Sequence, residues 1–233
     1  MRTRGRCTLV SSVGRNRGDD VGAQGAATKH AGSGMFVGTG RRQTATIVAV
    51  TTHGGSVLRV DAGEVVAITG DGASAVMTSV RNAPRIGDRT LDGLAVAEAT
   101  ALRRRLVGTV CTDHRLVPSL TVLENTALPL ELDGWDTHEA IAAATTALAR
   151  VGVTAPSDTL PDDLTAAEQR LVTVARNIAG SPVLVLADEP RDATVVRLLR
   201  RLAGDGAGVL VSTTVAARPT WADRLVETPA AIL

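Results

Sequence analysis

Asp188 and Glu189 follow the apolar run Val183-Leu184-Val185-Leu186-Ala187 and precede Pro190. A run of that length reads as a buried strand that delivers two carboxylates at its exit. Beside a phosphate group, the first carboxylate can orient a magnesium ion and the second can polarise a water for attack. This chemistry makes Asp188 the candidate metal ligand and Glu189 the candidate catalytic residue.

An acid pair of this kind works only with a motif that grips phosphate. Such a loop uses glycines to converge backbone amides on the phosphates and a lysine to reach the β and γ groups. The chain has one lysine, Lys29, in a glycine-rich stretch near its N-terminus. The candidate loop, Gly70-Asp71-Gly72-Ala73-Ser74-Ala75-Val76-Met77-Thr78, follows the strand-like residues 64–69 and contains no cation. The back half carries hydrolytic acids; the front half lacks their partner.

The elements that must position these residues alternate. Residues 46–50 and 56–60 read as short strands, and 64–69 as the next. A loop over 70–75 leads into a short helix from about Val76. A strand is expected over 86–91, a helix over 95–105 and a strand over 106–111. Thr121 with Glu124 and Thr165 with Glu168 spell two capping boxes, each opening a helix. Asp136 or Thr137 caps a longer, alanine-rich helix between them. Strand 183–187, helix 193–203, strand 208–212 and a last strand near 224–227 complete a pattern that predicts a parallel sheet with crossovers.

Composition agrees. Of 233 residues, 44% are hydrophobic and only 1% aromatic. Valine, leucine and alanine must therefore fill the core, as in parallel α/β sheets. Residues 1–44 carry eight basic side chains against Asp19 and Asp20, about +6, and the remainder about −5. A cationic tail could touch RNA or anionic lipid, but its glycine content predicts disorder and no clear nucleic-acid partner. Cys7 and Cys111 imply neither a disulfide framework nor a metal site. No apolar run reaches the roughly 18 residues of a membrane span. Residues 1–6 look like a signal n-region, yet 7–13 make a poor apolar segment. A cytoplasmic domain over 45–233 behind a disordered tail is the expectation.

Three stretches in order resemble the ATP-binding subunits of ABC transporters, especially those of the lipoprotein-release and macrolide-export type. They are Gly63-Glu64-Val65-Val66-Ala67-Ile68-Thr69-Gly70, Leu116-Val117-Pro118-Ser119-Leu120-Thr121-Val122-Leu123-Glu124-Asn125, and residues 164–190. The resemblance covers roughly residues 45–227. It implies an α/β, P-loop NTPase-like core with an antiparallel β flap and a helical insertion over about 112–180. It also implies ATP and magnesium as ligands, a membrane permease as partner, and a homodimer or a heterodimer with another ABC ATPase. The protein would then sit at the inner face of the cell membrane through that permease.

The departures from the family pattern are specific. Where the family has GxxGxGKST, Val76 stands at the lysine and Met77 at the magnesium-binding hydroxyl. Ala73 and Ala75 replace glycines, and an alanine forced into a left-handed conformation would cost roughly 1–2 kcal/mol. Thr112 replaces the glutamine after the strand ending at Cys111, and Thr214 replaces the switch histidine. The signature serine and glycines become Thr165, Ala166 and Ala167. The segment after Pro190 is nearly deleted, and no tyrosine is present to stack on adenine. Phe36 is too far upstream to serve.

Magnitudes decide what survives. Losing two charge-assisted hydrogen bonds from the lysine costs roughly 3–6 kcal/mol, or about 10²–10⁴ in affinity. A micromolar ATP site becomes millimolar or weaker. Arg81, the nearest downstream cation, is about 140° around the helix from Val76 and cannot replace the lysine. In a head-to-tail dimer, one composite site would use the Val76-bearing loop and the other the Thr165-Ala166-Ala167 signature. Both are compromised.

The sequence therefore predicts a transport-associated ATP-binding-subunit homologue with weak or absent hydrolysis, in which Glu189 is inherited but inactive. A non-catalytic partner or regulatory module of a permease is the alternative, and a decaying gene product is the third. Thr165 and Glu168 read as a helix cap rather than a γ-phosphate contact. His114 reads as a loop residue rather than a base. His53 and His138 lack partners at ligand spacing. Trp135 and Trp221 read as packing or contact residues.

Overall fold

A computed structural model describes residues 45–52, 55–110, 115–190, 192–215 and 217–229. The tail over 1–44 lies outside the described residues, as do Phe36, His53, Cys111, Thr112, His114 and Arg191.

Five short segments are strands: β3 (Val65–Thr69), β6 (Val107–Val110), β7 (Leu184–Asp188), β8 (Gly208–Ser212) and β9 (Arg224–Glu227). They build a parallel sheet in the order β6-β7-β8-β3-β9. Every residue of β3 and β8 is buried. Side chains alternate between the two faces. Val65, Val185, Ala187, Val209 and Val211 join one core cluster, while Val66, Ile68, Leu184, Leu186 and Leu210 join the other.

The second cluster is closed by α1 (Ala73–Arg81) and by the antiparallel ribbon of β1 (Thr46–Thr51) and β2 (Val57–Asp61). The first is closed by α3 (Val122–Leu132), α4 (Thr137–Val151), α5 (Ala166–Ile178) and α6 (Ala193–Gly204). α3, α4 and α5 all fall between β6 and β7 in the chain, so the helical layer is an insertion into the sheet's crossover. α6 buries Val195, Leu198, Leu199 and Leu202 on one stripe, at about 1.5–3 kcal/mol per side chain. Asp223 ties the layers together: its Oδ2 accepts from the Val65 amide at 2.8 Å and from Arg200 Nη1 at 2.8 Å.

Two expectations fail locally. Residues 86–91 do not form one strand. Gly87, at φ +60°, turns the chain between β4 (Arg85–Ile86) and β5 (Arg89–Thr90), which pair as a hairpin. The helix after β3 also starts earlier than expected. It begins at Ala73, not near Val76. α2 (Val96–Leu106) lies where expected.

Candidate functional site

In a parallel sheet all strands end at the same edge, so the exits of β3 and β7 face the same way. Only β8 separates them, which puts the two exits about 10 Å apart at two strand spacings. The candidate phosphate loop and the acid pair thus share one edge, at the point where α/β folds bind their ligands.

The loop after β3 is short. Gly70 takes φ +98°, Asp71 is exposed, and Gly72 caps α1. The Ala73 amide donates to the Gly70 carbonyl at 3.0 Å and the Val76 amide to the Gly72 carbonyl at 3.0 Å. Ala73, Ser74 and Ala75 belong to the first turn of α1. Neither alanine is in the left-handed region, where the non-glycine residues are Ser181 and Glu189 among the described residues. The expected loop strain is therefore absent. Alanine is a strong helix former, and Ala73 and Ala75 sit in the first turn of α1.

Positions 76 and 77 lie on the buried side of α1. Val76 is 5% exposed and Met77 7%, and both pack in the cluster with Val80, Val66, Ile68 and Ile86. Thr78 is exposed, and its hydroxyl donates back to the Ser74 carbonyl at 3.0 Å.

The chain after β9 closes over this turn. The Gly72 amide donates to the Thr228 carbonyl at 3.1 Å. A Cβ on Gly72 would lie 2.3 Å from the Pro229 oxygen, and one on Gly70 2.5 Å from the Thr228 oxygen. Thr228 is buried, with both its amide and its hydroxyl donating to the Thr69 carbonyl at 2.7 Å. Both glycines are required by this close approach of backbone. Nothing in the sequence signals it.

At the β7 exit, Asp188 is exposed and accepts from the Ser212 hydroxyl. The Glu189 amide donates to the Ser212 carbonyl at 3.2 Å and to its hydroxyl oxygen at 3.3 Å. Ser212 ends β8 and holds both acids from one side, a role that spacing alone does not reveal. Glu189 takes φ +39°, a strained backbone costing about 1–3 kcal/mol in a non-glycine residue. It lines a cleft of about 190 Å³ with Pro190, Thr213, Thr214, Val215, Pro219 and Trp221. Glu189, Thr214 and Trp221 are thus brought together.

The signature positions lie elsewhere. Thr165 caps α5: its hydroxyl oxygen accepts from the Glu168 amide at 3.3 Å and donates to Glu168 Oε2 at 2.6 Å. The Thr165 amide donates to the same oxygen at 2.9 Å. These bonds from the Thr165 hydroxyl and backbone hold the Glu168 carboxyl below its ordinary value of 4.5. Ala166 and Ala167 are exposed on the first turn. Thr121 and Glu124 repeat the arrangement on α3. After the acid pair, Asp192 caps α6 by accepting from the Thr194 amide at 2.7 Å.

A parallel sheet with acids at its ligand edge, an antiparallel flap and an inserted helical layer defines the ATP-binding-cassette class of nucleotidase fold. Residues 55–192 match the ABC transporter family. The lipoprotein-releasing system ATP-binding protein LolD of Hyphomonas neptunium is 33% identical over 190 residues, spanning 74% of this chain and 83% of its own. An uncharacterised ABC transporter ATP-binding protein of Mycobacterium tuberculosis is 38% identical over 138 residues, 55% of this chain. The alignment covers 56% of that relative, so the chain spans about half its length. In fold, the chain is similar to a dimeric ATP-binding cassette in a post-hydrolysis state bound to ADP and Pi, at TM-score 0.61 and 24% identity over 79% of this chain and 92% of that one. It is also similar to cbiO1 of Clostridium perfringens, part of the complex cbiONQ, at TM-score 0.63 and 19% identity over 74% and 76%. The chain belongs to the ABC transporter ATP-binding family. No described helix is long and apolar enough to cross a membrane.

Proposed function

We propose that this chain works as an ATP-binding-subunit homologue of a membrane permease, with weak or absent ATP hydrolysis. One observation carries the reading. Position 76, where the family places its phosphate-binding lysine, holds a valine side chain that is part of the core. Met77, at the hydroxyl that would hold magnesium, is core as well. The Gly72 amide is engaged by Thr228. These residues do not fit ATP and magnesium in the family's manner, so Asp188 and Glu189 have no held phosphate on which to act. Dimerisation with a second copy or another ABC ATPase, and docking on a permease from the cytoplasmic side, belong to the same proposal.

A non-catalytic partner or regulatory role beside the permease is the second reading. It is favoured by the order retained in residues 115–125. Asn125 is fully buried, accepts from the Val117 amide at 2.7 Å, and donates to the carbonyls of Val117, Leu120 and Thr121. That clamp closes within residues 117–125 and uses no residue of the phosphate loop.

Rebuilding the loop tests the proposal. Val76→Lys with Met77→Ser, Ala73→Gly and Ala75→Gly should gain ATP binding over wild type, because the glycines let the first turn of α1 unwind and free the lysine. Hydrolysis should lag, since Thr214 and the signature positions are unchanged. A wild type that already binds ATP as tightly as the fourfold variant would overturn it.

A further inference from the structure

We propose that a cleft between α4 and α6, remote in the chain from the phosphate loop, binds a small phosphate-bearing anion. The cleft has a volume of about 230 Å³ and is lined by Arg150, Gly152, Leu171, Thr194, Arg197 and Arg201 among others. It is smaller than the roughly 300–1,000 Å³ of sites for drug-sized ligands. Three arginines line it together with the apolar Val151, Leu171 and Leu198.

The charges are poorly compensated from within. Arg197 and Arg201 are one helical turn apart on α6, where like charges repel. Arg197 Nη2 donates to the Thr194 hydroxyl at 3.2 Å, and Arg201 Nη1 to the Arg150 carbonyl at 3.4 Å. Among the described residues, neither has a carboxylate in ion-pair range. Arg150 pairs with Asp205, whose side chain is 63% exposed. Arg200, between them in sequence, is paired with Asp223 instead. Among the described residues that line the cleft there is no Asp or Glu, against three arginines. Three arginines beside one hollow can offer planar guanidinium forks, whose geometry suits phosphate oxygens.

The test titrates the isotope-labelled chain with sodium pyrophosphate at fixed ionic strength, following backbone amide signals. Saturable shifts at Arg150, Gly152, Thr194, Arg197 and Arg201 are expected. Arg197→Ala and Arg201→Ala should each weaken binding roughly tenfold, while melting without anion stays unchanged. Arg197→Lys should recover only part of the affinity, since it keeps charge but not the fork. A second arm adds vesicles of phosphatidic acid in phosphatidylcholine. Competition by pyrophosphate assigns a lipid headgroup to the same cleft, and no vesicle binding assigns a free phosphate compound. Shifts confined to residues 70–78, or affinity unchanged in Arg197→Ala and Arg201→Ala, would overturn the proposal.

Discussion

Val76 shows how one residue can settle a local structure. As valine it helps α1 pack on the sheet; as lysine it would bring a charge into the same cluster. Burying an unpaired charge costs several kcal/mol. Val76→Lys alone is therefore expected to lower unfolding stability by about 3 kcal/mol or more in urea denaturation, and to gain no ATP binding. Gly72 is constrained from the other side. Its Cβ position lies 2.3 Å from the Pro229 oxygen, and backbone cannot yield as a side-chain tip does. Gly72→Ala should cost about 1–3 kcal/mol, where an ordinary glycine at a helix start would tolerate the change. A neutral result in the same denaturation series would show that residues 228–229 do not hold the turn.

At the scale of elements, the helix starts are legible in the sequence and the helix-loop boundary at the site is not. The capping boxes at Thr121 and Thr165 stand where the sequence puts them, and of the two candidates Asp136 and Thr137 the cap is Asp136, because a cap is a contact between near neighbours. Thr121→Ala and Thr165→Ala should each cost about 1 kcal/mol. Backbone and side-chain bonds from Thr121, and side-chain and backbone bonds from Thr165, lower the pKa of Glu124 and Glu168 below 4.5. A lowered carboxyl contributes stability that is present above the unfolded value and lost as pH falls through the folded one. Far-ultraviolet circular dichroism against pH should show wild type losing its advantage over Glu124→Gln/Glu168→Gln as acidity passes below about pH 4.5. An advantage that persists at lower pH would remove the caps' carboxylates from the account. The loop over 70–75 differs from expectation because the family pattern implies a wrap around phosphate. Helix propensity in Ala73-Ser74-Ala75 decides otherwise. The hairpin at Gly87 escapes a sequence reading because strands of two residues carry no periodicity.

Over the whole molecule, alternating strands and helices disclose a parallel sheet with crossovers, since each step is local, whereas the strand order β6-β7-β8-β3-β9 rests on contacts far apart in the chain. The acid pair is legible too, because a buried strand must run straight to its exit and so delivers Asp188 and Glu189 to the sheet's edge. What the sequence could not disclose depends on contacts far apart in the chain. Ser212 holding Asp188, Trp221 beside Glu189, and Thr228 against Gly72 are all of that kind. In the proposed function, these contacts keep the acids at the sheet's edge while Val76 and Met77 belong to the core. The most direct test is an ATP titration of the purified wild-type chain, with and without magnesium, followed by a turnover assay. Half-saturation is expected at roughly millimolar ATP or weaker, with little dependence on magnesium and negligible turnover. Micromolar, magnesium-dependent binding with steady turnover that Glu189→Gln abolishes would contradict it.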